Sequence, residues 1–314
     1  MPEKTIVKMI FGSHLYGMNT PQSDMDYKGI FLPTCKQAFL GKIPKSYSSS
    51  KNKAPGEKNS ANDVDTEIYS LQYFIKLACE GQTVALDMLH APENMLVESS
   101  PIWESIVANR HHFYTKNLRA FIGYARKQAA KYGIKGSRLN AARNFIELLG
   151  KYNTDAKLTA IWDKLSTGDH CHMLGLNQNN ILQYQICGKI FQQTSGVGYT
   201  LDIMQRFEKQ YGQRARDAAQ NKNLDWKALS HAIRAALQVK ELLTNNTITF
   251  PLENAEYLKG VKMGLYDYST TVAPNLEGII KEVEKLSKNS NLPEKVDRDF
   301  WDGFIVGVME QGCC

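Results

Sequence analysis

Between Gly12 and Gly29 the chain reads GSHLYGMNTPQSDMDYKG, and its chemistry is concentrated at Gly12-Ser13 and, ten residues further on, at Asp24-x-Asp26. On an extended strand, residues two apart project from the same face. Asp24 and Asp26 can therefore offer both carboxylates to one cluster of divalent cations. Mg²⁺ takes oxygen ligands and shares them with substrate phosphates, and two ions about 4 Å apart can hold both the attacking and the leaving oxygen of a displacement at phosphorus. The spacing thus predicts a metal site for phosphoryl-type transfer, with Mg²⁺ as cofactor, two ions expected, and Mn²⁺ as a substitute. Gly12 lets the backbone approach a phosphate closely, and Ser13 adds a hydroxyl and an amide as donors to triphosphate oxygens. Gly17 is read as a tight bend and Ser23 as a polar lead into the strand. The plain alternative is a hairpin whose turn happens to carry aspartates.

Local patterning supplies the elements that must position these groups. Lys4 to Phe11 is apolar and β-branched, as a strand should be, and stops at Gly12-Ser13. Met25 to Leu32 reads as a second strand ended by Pro33, and Val64 to Leu71 alternates as a third before the helical spacing of Leu71, Phe74, Ile75 and Ala78 takes over. The Lys-, Ser-, Pro- and Gly-rich stretch between them, 34–62, is expected to be a mobile insertion. Beyond about residue 100 the spacing is helical. Short strands first and helices afterwards predict an α+β fold: a small mixed-sheet catalytic domain over 1–105 and a helical nucleotide- and acceptor-binding domain over 106–314.

Composition excludes several classes. Of 314 residues, 43% are hydrophobic and 22% charged, and no apolar run approaches the roughly 18–20 residues of a membrane span. No membrane partner is expected, and the six scattered cysteines fit a reducing cytoplasm. Asp169, His170, Cys171 and His172 lack the second ligand group that a metal site at this spacing needs. The net charge of +6 is uneven: from Ser105 to Ile146 there is no acid, while Arg110, Lys116, Arg119, Arg126, Lys127, Lys131, Lys135, Arg138 and Arg143 all fall there. Such a concentration draws phosphate-rich ligands, unless it is only a solvated helix face.

Gly-Ser, a ten-residue spacer and Asp-x-Asp after a strand is similar to the signature of the DNA polymerase beta nucleotidyltransferase superfamily. The segments SLQYFIKLACEGQTVALDMLHAPE, KQYGQRARDA, DWKALSHAIRAALQVKELL and NLPEKVDRDFWDGF resemble a bacterial and tailed-phage group of predicted nucleotidyltransferases within it. The resemblance implies a third carboxylate on a later strand, acting as metal ligand and base. In DVDTEIY that role falls to Glu67 or Asp65, which share one strand face with Tyr69. Glu67 is preferred because it lies deeper in the strand, although a glutamate departs from the commoner aspartate. Helical domains of the superfamily supply basic side chains to the nucleotide. Here Lys227, His231 and Arg234, in a polar stripe with Gln238 and Glu241, are the candidates, with Arg214 and Arg216 beside them.

The expected reaction moves a nucleoside monophosphate from a nucleoside triphosphate onto an acceptor hydroxyl, releasing pyrophosphate. Nucleic acid is the favoured acceptor because of the basic window, and an RNA 3′ end is favoured over duplex DNA because no groove-reading motif occurs. Protein and small-molecule acceptors stay open. A competing class is a catalytically retired nucleotide- or RNA-binding sensor or antitoxin-like module. The acids speak against it, since unpaired like charges next to phosphate are unfavourable without metal.

Overall fold

The structure, a computed structural model, describes residues 4–49, 63–116, 136–168, 170–219, 221–222 and 224–313. It is a mixed α+β chain that divides into two compact units: 1–129 with 225–266 and 271–314, and 130–224 with 267–270. This partition differs from one cut near residue 105, because the chain leaves the first unit and later returns to it.

The first unit opens with strand β1 (Lys4–Phe11), the short helix α1 (Gly12–Tyr16), β2 (Met25–Leu32), α2 (Cys35–Phe39), β3 (Ser46–Ser49) and β4 (Val64–Ser70). Then follow α3 (Leu71–Cys79), α4 (Thr83–Leu89), β5 (Leu96–Glu98) and α5 (Pro101–Ala108). The five strands form one sheet in the order β3-β4-β2-β1-β5, with β2 parallel to β4 and the other pairs antiparallel. Part of the expected mobile insertion is thus ordered. Thr34 and Gln37 close a reciprocal capping box on α2, and β3 pairs with β4 along Ser46 to Ser49. Residues 50–62 lie outside the described residues.

The second unit holds α6 (Gly136–Leu149), β6 (Cys171–Leu176), β7 (Leu182–Ile186), β8 (Lys189–Gln192) and α7 (Val197–Ala219). Its antiparallel sheet, in the order β6-β7-β8, is a strand element within a region that is otherwise mostly helical, as expected. Cys187 (φ 50°) and Gly188 (φ 79°) form the two-residue link between β7 and β8, the positive-φ pair that matches strand twist in a tight hairpin. Phe145, Tyr184, Ile186, Phe191 and Met204 lie in its own core. Within GDHCHM, Cys171 is buried and His172 exposed, Asp169 lies outside the described residues, and the described residues gather no metal-ligand cluster there.

The chain then returns to the first unit as α8 (Trp226–Asn245), α9 (Ala255–Lys262), α10 (Ala273–Asn289) and α11 (Arg298–Cys313). Asp225 caps α8 by accepting from the Ala228 amide at 2.9 Å. Core residues of this unit include Ile6, Met9, Ile30, Phe74, Leu86 and Met88, and Trp301 stacks on Phe113 at 3.9 Å. Cys79, Cys171 and Cys187 are free buried thiols, and Cys35 is disulfide-bonded. No helix among the described residues is long and apolar enough to cross a membrane.

One core group makes stability depend on pH. His90 Nδ1 lies 2.8 Å from Leu86 O and its Nε2 2.8 Å from the Tyr114 hydroxyl, partners suited to a neutral ring donating to one and accepting from the other. Burial, aided by the Arg110 charge and only partly offset by the Leu86 contact, pushes its pKa down to about 4. The unfolded chain, near 6.5, then binds the extra proton first. The contribution of His90 is full above pH 6.5 and lost as pH falls toward 4, by about 3 kcal/mol. Urea unfolding across that window should show the loss, and His90→Gln should flatten the slope.

Candidate active site

β1 delivers the chain to Gly12, where a φ of +63° ends the strand and turns it into α1. β2 returns antiparallel beside it, pairing Phe11 with Asp26. β4 runs parallel to β2 with Asp65 in register with Asp26. Neighbouring strands lie about 4.8 Å apart, so the register alone brings the two carboxylates together. Asp24, one alternation before Asp26, joins them: one ligand oxygen from each of the three aspartates lies within 4.8 Å of the others. This is the only cluster of potential metal ligands of its size among the described residues.

The electrostatics are suited to a cation. Half-burial raises the Asp26 pKa, Asp24 and Asp65 raise it further, and the charges of Lys28 and Lys227 only partly oppose them. A divalent ion held by Asp24, Asp26 and Asp65 would turn this repulsion into attraction.

Glu67 does not join the cluster, a correction to its preferred place as third carboxylate and metal ligand. The next rung of the parallel ladder pairs Lys28 with Glu67. Lys28 Nζ approaches Glu67 Oε2 to 2.6 Å, and the Tyr69 hydroxyl donates to the same oxygen at 2.6 Å. Burial alone would raise the Glu67 pKa, but these hydrogen bonds and the Lys28 charge hold it below the ordinary value. Asp65 faces an aspartate and Glu67 a lysine, so lateral register, not depth in the strand, sets which of the two lies beside Asp24 and Asp26.

Gly12 is required here for space as well as for φ. A Cβ on it would fall 2.0 Å from Asp26 Oδ2, closer than any real contact. Ser13 follows with its Oγ enclosed and without a hydrogen-bond partner among the described residues, as is His14 Nε2. An enclosed hydroxyl with no partner is costly, and beside the aspartates it is suited to a phosphate oxygen. Ser23 is different: its Oγ accepts from the Thr20 amide at 2.9 Å, closing the turn before β2.

On α8 the anticipated basic stripe divides. Lys227 is exposed and its charge reaches Asp26. His231 is half-buried; burial, with the charges of Arg234, Lys227 and Lys262, pushes its pKa down to about 4, so its ring is neutral near pH 7. Arg234 is not available to phosphate. Its Nη1 donates to buried Asp87 at 2.9 Å and its guanidinium lies 3.9 Å from the Tyr16 ring centre. The Tyr16 hydroxyl donates to the same Asp87 oxygen at 2.8 Å, and Gln238 Nε2 to the other at 2.7 Å. These buried groups tie α1, which begins at Gly12, to α4 and α8. Gln238 was visible as part of the polar stripe, whereas Tyr16 and Asp87 were not singled out as partners of it. Arg214 and Arg216 fall within α7 of the second unit, and their side chains lie outside the described residues.

The four described cations of the basic window each have a partner. Arg110 donates to Leu89 O, Lys116 pairs with Glu294, Arg138 donates to Cys187 O, and Arg143 pairs with Glu208. Its other five cations lie outside the described residues.

A sequence model of the RNA repair pathway DNA polymerase beta family matches residues 2–148, which include β1 to β5 and all three aspartates. The uncharacterized 38.9 kDa protein in the nrdC-mobD intergenic region of Enterobacteria phage T4 is 37% identical over 327 aligned positions, covering 97% of each chain. A nucleotidyltransferase-like protein from Exiguobacterium sibiricum 255-15 aligns with 98% of this chain and 74% of its own at 8% identity; its TM-score of 0.25 adds nothing to the assignment. The chain belongs to the polymerase-beta-like nucleotidyltransferases.

Proposed function

We propose that this protein is a divalent-metal-dependent nucleotidyltransferase that moves a nucleoside monophosphate from a nucleoside triphosphate to an acceptor hydroxyl, with an RNA 3′ end as the acceptor. The observation that carries the reading is the convergence of Asp24, Asp26 and Asp65 within 4.8 Å, next to Gly12 and the unpartnered Ser13 hydroxyl. The "RNA repair pathway" description of the matching family supports RNA as acceptor. The basic window, whose described members are engaged one by one, supports it less than its charge implied.

Mg²⁺, held by Asp24, Asp26 and Asp65, would neutralise triphosphate oxygens and make the acceptor hydroxyl more acidic. Asp65 takes the proton of that hydroxyl. The acceptor oxygen forms the new bond to the α-phosphorus as the bond to the bridging oxygen breaks, and pyrophosphate leaves with the electron pair. Ser13 donates its hydroxyl to a phosphate oxygen, Lys227 offsets triphosphate charge, and the neutral His231 ring offers an N–H donor. Arg234 contributes indirectly, by holding Tyr16 and hence α1.

The test is transfer of label from each α-³²P ribo- and deoxyribonucleoside triphosphate to RNA, DNA, protein and small-molecule fractions with Mg²⁺ or Mn²⁺, beside Asp24→Asn with Asp26→Asn. Label on RNA 3′ ends, absent from the double variant, is the expected result. Label on protein instead would reassign the acceptor, and metal-dependent nucleotide binding without transfer would favour a sensor. Gly12→Ala should lower transfer at least a hundredfold, because the added Cβ must displace the Asp26 carboxylate, and misplacement by about 1 Å costs that much. Near-normal turnover in Gly12→Ala would mean that Asp26 acts from another position.

A further inference from the structure

The second unit carries a feature that the aspartate cluster does not use. Strand β8, at the edge of its sheet, and the first turns of α7 enclose a groove of about 380 Å³. Phe191 forms its buried floor, and Phe207 and Ile203 are half-buried in its wall. Tyr199 and Ile190 stand at the surface, 64% and 53% exposed. Among the described residues no hydrogen bond or ring contact engages the Tyr199 side chain. Lys189 and Arg206 supply cations to the lining; Arg206 pairs with Asp202, an exposed contact that an incoming phosphate can replace. Between residues 136 and 224, eleven Lys and Arg stand against seven Asp and Glu.

A large exposed aromatic ring beside an apolar groove is suited to a planar, partly apolar group, and cations at the rim favour an anionic one. An unpaired nucleotide is both: its base stacks on an aromatic face whatever its identity, and its phosphate meets the basic side chains. Duplex hides its base faces and does not fit. From this geometry we infer that the groove binds single-stranded polynucleotide, with one base stacked on Tyr199 and a flanking phosphate on Lys189 or Arg206. The role of the bound strand as acceptor rests on the proposed transferase reading, but the binding is measured without it.

Fluorescence anisotropy of a labelled single-stranded oligoribonucleotide, with the full chain and no nucleotide or metal, tests the inference. Tyr199→Ala should weaken binding about tenfold, in line with the loss of one stacked base, while Tyr199→Phe keeps the ring and binds as wild type. Lys189→Ala should weaken it about threefold and lower the salt dependence by about one phosphate contact. Blunt duplex should compete poorly. Asp24→Asn with Asp26→Asn should bind the strand normally, so loss of transfer and loss of binding separate the two claims. Wild-type protein that fails to bind the strand, or Tyr199→Ala that binds it equally well, overturns the inference. So does concentration-dependent self-association abolished by Tyr199→Ala in a protein that ignores the strand, since the groove would then be a contact between protein chains.

Discussion

Asp65→Asn is expected to lower nucleotidyl transfer by about a thousandfold, the scale for losing a group that both holds metal and takes a proton. Glu67→Gln is expected to stay within about tenfold of wild type. The sheet register sets the contrast, placing Asp65 opposite Asp26 and Glu67 opposite Lys28. Glu67→Gln weakens a part-exposed ion pair with side chains 21% and 34% accessible, a loss of about 1 kcal/mol in stability. Single-turnover rates of the two variants decide the matter; equal damage would return the third carboxylate to Glu67 and require the Lys28 contact to break during turnover. Thermal unfolding supplies a second readout. Asp26→Asn removes one of the repelling charges, so without metal it should melt no lower than wild type. With Mg²⁺ the wild type should gain stability by mass action and the variant much less.

Arg234→Ala should cost about 3–5 kcal/mol, the largest stability effect expected of any substitution at the site. The side chain is 11% accessible and its partner Asp87 only 1%, so truncation leaves a carboxylate enclosed without its cation. Tyr16 and Gln238 still donate to Asp87, but neither brings a charge. Arg234→Met combined with Asp87→Leu should be milder than Arg234→Ala, since no charge is then stranded. Urea midpoints for the single and double variants measure this, and an Arg234→Ala loss below about 1 kcal/mol would place the energy elsewhere than in the ion pair. At temperatures where Arg234→Lys stays folded, its transfer rate should fall while its nucleotide affinity changes little. A residue that only positions α1 acts on alignment, whereas a phosphate ligand would weaken nucleotide binding.

How much of the molecule could be read in advance differs by element. The strands Lys4–Phe11, Met25–Leu32 and Val64–Ser70 follow from alternation and β-branching, and the turn at Gly12-Ser13 from glycine. The second sheet was missed because its strands are only four to six residues long, too short for alternation to stand out from helical spacing. The Cys187-Gly188 turn between two alternating runs was the signal available. On α8 the polar stripe was visible, but its meaning was not. A buried arginine facing a buried aspartate reads in sequence like two solvated charges, because Asp87 stands 147 residues away.

The sequence by itself determined the chemistry on offer. Gly12-Ser13 and Asp24-x-Asp26 depend only on local geometry: a strand places residues two apart on one face, and a glycine admits a positive φ where the chain must turn. The tertiary structure decided which later carboxylate lies beside Asp24 and Asp26 and which cations of α8 stay at the surface. Pairing β4 parallel to β2 in one register selects Asp65 and gives Glu67 to Lys28, and a shift by one residue would have turned all these side chains to the other face. Packing α8 within the first unit likewise encloses Arg234 with Asp87 while leaving Lys227 at the surface. Charge in a low-dielectric interior must be paired and charge in water need not be, a distinction set by burial and invisible along the chain.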